Sequence, residues 1–257
     1  MNIKTFKFKE TVMKITLRAT LLLLISSLCF QVSADTYDDA MYLLNKGEFK
    51  TAIALLTPLV NEGYAPAQYQ MAMIYKNGDG VQKNLNKSFK LLTLAANTNY
   101  VDAQFDLANM YSDGIATKKD LKKAFMLTMK AAKKNLPSAQ YNIGVMYYFG
   151  DGVVKDNLKA SRWYKKAANQ NYALAQFNLA LMYYDGKGVE KSNIMSYVWN
   201  IIAARNGYQK AVRSLTIDEH NLNVADLQKA RDKANIIHDK ILRQEKLKAE
   251  LANQKAY

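Results

Sequence analysis

The sequence predicts an all-α protein, a solenoid of paired antiparallel helices, on the strength of three observations. The first is a phrase that returns at one interval. Ala67-Gln68-Tyr69, Ala103-Gln104-Phe105, Ala139-Gln140-Tyr141 and Ala175-Gln176-Phe177 stand 36 residues apart with no insertion. A fixed period of that size marks an array of one supersecondary unit, each copy burying its apolar face on the next. The second is a pair of helix stops in the same register: Gly78, Gly114, Gly150 and Gly186 form one series, and Gly63, Asn99, Asn135, Asn171 and Gly207 the other. Both hold only residue types that tolerate the left-handed conformation. The third is a series of helix starts, Asn84, Asp120, Asp156 and Ser192, whose side chains can accept a first-turn N–H.

The chain opens differently. Residues 1–34 carry Lys4, Lys7, Lys9, Lys14 and Arg18 against Glu10, then an apolar run from Leu21 to Phe30, then Val32-Ser33-Ala34. Those are the parts of a secretory signal peptide in order, with cleavage expected after Ala34; a start at Met13 would make the signal more typical still. The run is short of the roughly 20 apolar residues that span a bilayer, so no integral membrane segment is expected after cleavage, and the expected location is periplasmic or secreted. Cys29, the only cysteine, lies in this segment and follows Leu28, a residue too large for a lipoprotein site. The mature chain then has no cysteine and depends on its packed core without disulfides.

Within one unit, Ala67, Met71, Ile74 and Tyr75 fall at helical spacings of three and four and make one apolar stripe, helix A. Pro66 and Pro137 sit in its first turn, where a missing N–H costs nothing. Ala72, Ala108, Gly144 and Ala180 keep one position small, so that a neighbouring helix can approach. The glycine runs Asn77 to Gly80 and Gly150 to Gly152 lack the spaced side-chain oxygens of a calcium loop and read as turns. Helix B follows, with Phe89, Leu92, Ala95 and Ala96 facing inward in one unit and Trp163, Tyr164, Ala167 and Ala168 in a later one. An apolar residue follows each helix B stop: Tyr64, Tyr100, Leu136, Tyr172 and Tyr208.

Taken together, these positions resemble the Sel-one-like repeat, a relative of the tetratricopeptide repeat. Four full units cover residues 65–208. Residues 35–64, with Gly47-Glu48-Phe49 in place of the long loop, resemble a shortened unit of the tetratricopeptide form. Ala211 keeps the phase, but Val212 and Arg213 replace the glutamine and aromatic, so residues 209–242 are expected to form capping helices, one of them from Asn223 to Ile237. Residues 243–257 read as a charged tail, a frayed helix. The resemblance implies a right-handed superhelix that binds other proteins, as adaptors of bacterial envelopes and signalling do. Some cysteine-rich secreted members are linked to β-lactam binding or hydrolysis; this chain departs from them in having no mature cysteine.

Residues that recur unchanged serve the scaffold, so a binding function is sought at helix A positions that differ between units. The candidates are Gln70 and Met73, then Asp102, Asp106 and Asn109, then Asn142 and Val145, and finally Asn178 and Leu181; Asp113, Phe149 and Asp185 continue the same face. In helical solenoids of this kind helix A lines the concave side. The expected groove is acidic toward the second unit and apolar toward the fourth, suited to a protein or peptide ligand with a basic end.

The formal charge of +14 includes a surplus of four on residues 1–34, leaving about +10 on the remainder. Pairs such as Lys118-Lys119, Lys133-Lys134 and Lys165-Lys166 place it mainly on helix B and in the tail; it reads as a solvated outer face, with attraction to anionic envelope surfaces as the alternative, and nucleic acid is not expected as a partner of an exported chain. His220 and His238 are the only histidines, which leaves no zinc constellation, and no metal or cofactor is expected. There is no Gly-x-Ser-x-Gly, no His-Glu-x-x-His and no Ser-x-x-Lys in a strand-and-helix setting. Tyr75, Tyr111, Tyr147 and Tyr183 stand at core spacing. The expectation is a non-catalytic scaffold. The alternatives are a secreted virulence factor engaging a host protein and a β-lactam- or peptidoglycan-interacting envelope enzyme.

Overall fold

In the computed structural model, residues 33–255 are described. They form twelve helices and no strand. The expected signal peptide lies, up to residue 32, outside the described residues. The chain divides into two compact units between Tyr100 and Val101. The first contains α1 (33–45), α2 (Phe49–Asn61), α3 (Ala65–Asn77) and α4 (Leu85–Asn97). The second contains α5 (Val101–Asp113), α6 (Leu121–Lys133), α7 (Pro137–Phe149), α8 (Asn157–Ala168), α9 (Ala173–Asp185), α10 (Asn193–Arg205), α11 (Gln209–His220) and α12 (Val224–Lys255). Consecutive helices pack on each other from α2 to α4 in the first unit and from α5 to α11 in the second, and α12 packs on α10. The fold is the all-α stack of paired helices.

Each helix end has a visible cause. The side chains of Asn84, Asp120, Asp156 and Ser192 accept from the backbone N–H groups of Lys87, Lys123, Lys159 and Met195. The same four residues donate their own N–H to the carbonyls of Tyr75, Tyr111, Tyr147 and Tyr183 at 2.8–2.9 Å, which closes the loop back onto helix A. Helix B ends in paired reverse bonds: Tyr100 N–H reaches Ala95 O, and Asn99 N–H reaches Ala96 O, with Asn99 at φ 65°. That is the Schellman arrangement, which satisfies carbonyls the helix would leave open. Lys87, Lys123 and Lys159 cover the rings of Tyr75, Tyr111 and Tyr147 at 4.8, 5.2 and 5.4 Å.

The Ala-Gln-aromatic phrase is a stacking device. All four alanines are fully buried and all four glutamines are buried. Gln68, Gln140 and Gln176 donate to the carbonyls of Val60, Ala132 and Ala168, on the helix before. The aromatics stack on the residue that follows the next helix B stop, Tyr69 on Tyr100, Tyr141 on Tyr172 and Phe177 on Tyr208, with centroids 5.0–5.4 Å apart. In the second unit the glutamines also build a polar ladder that the sequence reading missed. Gln170 donates to Gln140 and Asn135, and Asn206 to Gln176 and Asn171.

Three close approaches fix the spacing of the second unit. Gly152 and Gly188, both at positive φ, lie against the backbone carbonyls of Leu121 and Asn157, leaving no room for a Cβ. Gly144 faces the ring of Tyr164, and a Cβ built there would stand 2.6 Å from two ring carbons.

The C-terminal helix differs from expectation. The helix expected over Asn223 to Ile237 runs on without interruption to Lys255. No glycine or proline breaks residues 224–255, and Ala230, Ala234 and Ile241 anchor the helix in the core that includes Trp199 and Ile202. Beyond Ile241, Glu245 accepts from Asn171, and Lys248 donates to Gln170. These bonds hold a stretch that composition alone reads as a frayed helix.

Candidate functional site

The second unit carries two neighbouring hollows between its A helices. The first, about 260 Å³, lies among α5, α6 and α7 and is polar, with Asn109, Ser112, Asp113, Asn142 and Asp151 at its walls and Thr128 among its lining residues. The second, about 250 Å³, lies among α7, α8 and α9 and is aromatic. Tyr141, Tyr148, Phe149 and Tyr164 line it together with Val145, Asn178 and Leu181. Val145 borders both.

The helical register explains the convergence. Val145 and Asn142 sit three residues apart on α7, and Asn178 and Leu181 repeat that spacing on α9. Across the two helices Asn178 Nδ2 donates to Tyr141 Oη at 3.2 Å. Tyr148 and Phe149 meet edge to face at 5.0 Å. Lys187 donates to Tyr148 Oη and binds the Asp185 carboxylate at 2.8 Å, and those two bonds hold its ammonium above the ordinary lysine range. Burial pushes the phenols of Tyr164 and Tyr141 up; at Tyr141 the Asn178 bond works against it. Both stay neutral hydroxyls at physiological pH. Phe149 is 66% exposed and Leu181 41%, so the second hollow presents bare apolar surface at its mouth.

The structure thus gathers Asn109, Asn142 and Val145 at one hollow and Val145, Asn178 and Leu181 at the next. Asp102 is exposed in the first turn of α5, and Asp106 is half-buried one turn on. Gln70 and Met73 lie half-buried on α3 in the first unit. Tyr148, Asp151 and Lys187 were not among the sequence candidates. A signal for them existed: the 36-residue register of Lys76, Ser112, Tyr148 and Tyr184 holds three residue types, and so does that of Asp79, Ile115, Asp151 and Lys187. Among the described residues no three His, Cys, Asp or Glu side chains come together as a metal site, and no helix is long and apolar enough to cross a membrane.

Paired helices stacked at a fixed register, with unit-specific side chains in the hollows, define a helical repeat protein. The Sel1 repeat matches at residues 65–100, 101–136, 137–172 and 173–208, so the chain belongs to the Sel1 repeat family. It is similar to the crystal structure of a Sel1 repeat protein from Oxalobacter formigenes, with 26% identity and a TM-score of 0.68, over 81% of this chain and 84% of that one. It is also similar to a protective antigen present in uropathogenic Escherichia coli strains that displays an SLR fold, with 28% identity and a TM-score of 0.73, over 88% of this chain. There it spans 48% of the other protein, about half its length. No curated protein matches it.

Proposed function

We propose that the protein is an exported, non-catalytic scaffold that holds a peptide segment of a partner protein against α5, α7 and α9. The observation that carries this reading is the aromatic hollow, where Val145, Asn178 and Leu181 meet Tyr148 and the exposed Phe149. Apolar hollows with a few fixed polar groups take up side-chain anchors, and anchors dominate the affinity of such contacts. The neighbouring hollow, with Asp113 and Asp151, suits a basic residue beside that anchor. Membership of the Sel1 repeat family supports a protein partner. Export rests on the basic and apolar pattern of residues 1–34.

Peptides selected from a random library on the immobilised protein provide the probe. Phe149→Ala and Leu181→Asp should each weaken a selected peptide at least tenfold, and the combined Asp102→Ala, Asp106→Ala and Asn109→Ala variant should weaken peptides with a basic end most. Unchanged affinity in helical, folded variants refutes the reading. Nitrocefin or peptidoglycan turnover by the purified protein would refute its non-catalytic part.

A further inference from the structure

On the helix B side of the second unit, α12 lies against α10 and roofs a cavity of about 520 Å³ bounded by α8, α9, α10 and α12. None of its lining residues belongs to the two hollows above. Its inner surface is apolar: Tyr183, Trp199 and Ile241 form it, the last two 2% exposed. Lys165, from α8, and Lys233 and Lys240, from α12, also line it. None of these three lysines has a carboxylate within ion-pair distance among the described residues, in contrast to Lys187, which binds Asp185.

We propose that this cavity binds a small amphipathic anion, an apolar body carrying one carboxylate or comparable head group. The chemistry follows from the lining. Three ammonium groups gathered without a counter-charge repel one another, and an anion relieves that repulsion. A bare inorganic anion would leave the apolar inner surface uncovered, and a neutral hydrocarbon would leave the donors unmatched. The volume falls within the roughly 300–1,000 Å³ common for small-molecule sites. The continuation of α12 past Ile237 brings Lys240 and Ile241 to the cavity. The extended C-terminal helix thereby builds a ligand site as well as capping the stack.

Decanoate is the probe, with decanol and inorganic phosphate as comparison arms. In a Trp163→Phe background Trp199 is the only tryptophan, so its emission reports occupancy, and titration calorimetry gives the stoichiometry. One saturable decanoate site is expected. It should weaken at least tenfold in the combined Lys165→Gln, Lys233→Gln and Lys240→Gln variant, and it should weaken with added salt. Decanol and phosphate should bind at least tenfold more weakly than decanoate. The three lysines are exposed, so the glutamine variant should keep its helicity. Absence of saturable decanoate binding, equal affinity in the glutamine variant, or equal binding of decanol or phosphate overturns the proposal.

Discussion

Gly144→Ala is the substitution that separates this structure from a generic helix pair. At an ordinary helical position the change stabilises by up to about 1 kcal/mol, because glycine loses more backbone freedom on folding. Here the new Cβ would stand 2.6 Å from Cδ1 and Cε1 of Tyr164 and 3.1 Å from Cγ. Carbon atoms rest at about 3.5–4.0 Å, so the ring must retreat by about 1 Å. It has little room: Tyr164 is 3% exposed and has Tyr141 at 5.7 Å. Overpacking of this kind costs about 1–3 kcal/mol, and against the helical gain a net loss of roughly 0.5–2 kcal/mol is expected. The other repeats show the remedy. Ala72, Ala108 and Ala180 occupy the equivalent position, and Leu92, Thr128 and Asn200 stand where Tyr164 does. Denaturant unfolding of Gly144→Ala, Tyr164→Leu and the double variant should therefore give a favourable coupling of about 1–3 kcal/mol, with alanine tolerated once the ring is gone. A stabilised Gly144→Ala with no coupling to position 164 would refute the reasoning.

Three further outcomes follow from the same geometry. Ala116 stands in the left-handed region at φ 57°, at the register where Gly80, Gly152 and Gly188 stand, so Ala116→Gly should raise the unfolding free energy by about 0.5–1 kcal/mol; a loss would contradict it. Gln176→Leu removes the donor to Ala168 O and the acceptor of Asn206, and thermal melting should register a loss of about 1–3 kcal/mol. Asp218 is buried beneath Ser196 and Asn200, and burial holds its carboxyl above the usual range while those two hydrogen bonds oppose the shift. A raised acid contributes stability below its unfolded value, about 3.9, and loses it as pH rises through the folded value. Asp218→Asn should hence remove that component of the pH dependence and leave the melting temperature at pH 7 unchanged or higher; a sharp fall in melting temperature would contradict it.

Much of the architecture was legible because repetition separates scaffold from variation. The caps at Asn84 or Asp156 and the stops at Asn99 or Gly150 are local chemistry, set by side chains within one turn, and the sequence displays them. Features that depend on distant partners were not legible in the same way. Gln140 and Gln176 recur, but their bonds to Gln170 and Asn206 join residues 30 apart that do not recur as a phrase. The length of α12 escaped for a related reason: residues 243–255 are polar and alternate in charge, and only their bonds to Gln170 and Asn171 show what holds them. At the candidate site, variable helix A positions led to Asn109, Asn142, Val145, Asn178 and Leu181. Asp151 and Lys187 belong to the loops past the helix ends, where the helical register no longer points to a face.

The central claim, that a partner segment lies in the hollows along α5, α7 and α9, is tested most directly by site-specific photocrosslinking. A benzophenone side chain placed at position 149 or 181 should capture a selected peptide at its saturating concentration, and one placed at position 126, exposed on helix α6, should not. Equal capture at all three positions, or preferential capture at 126, would contradict the account.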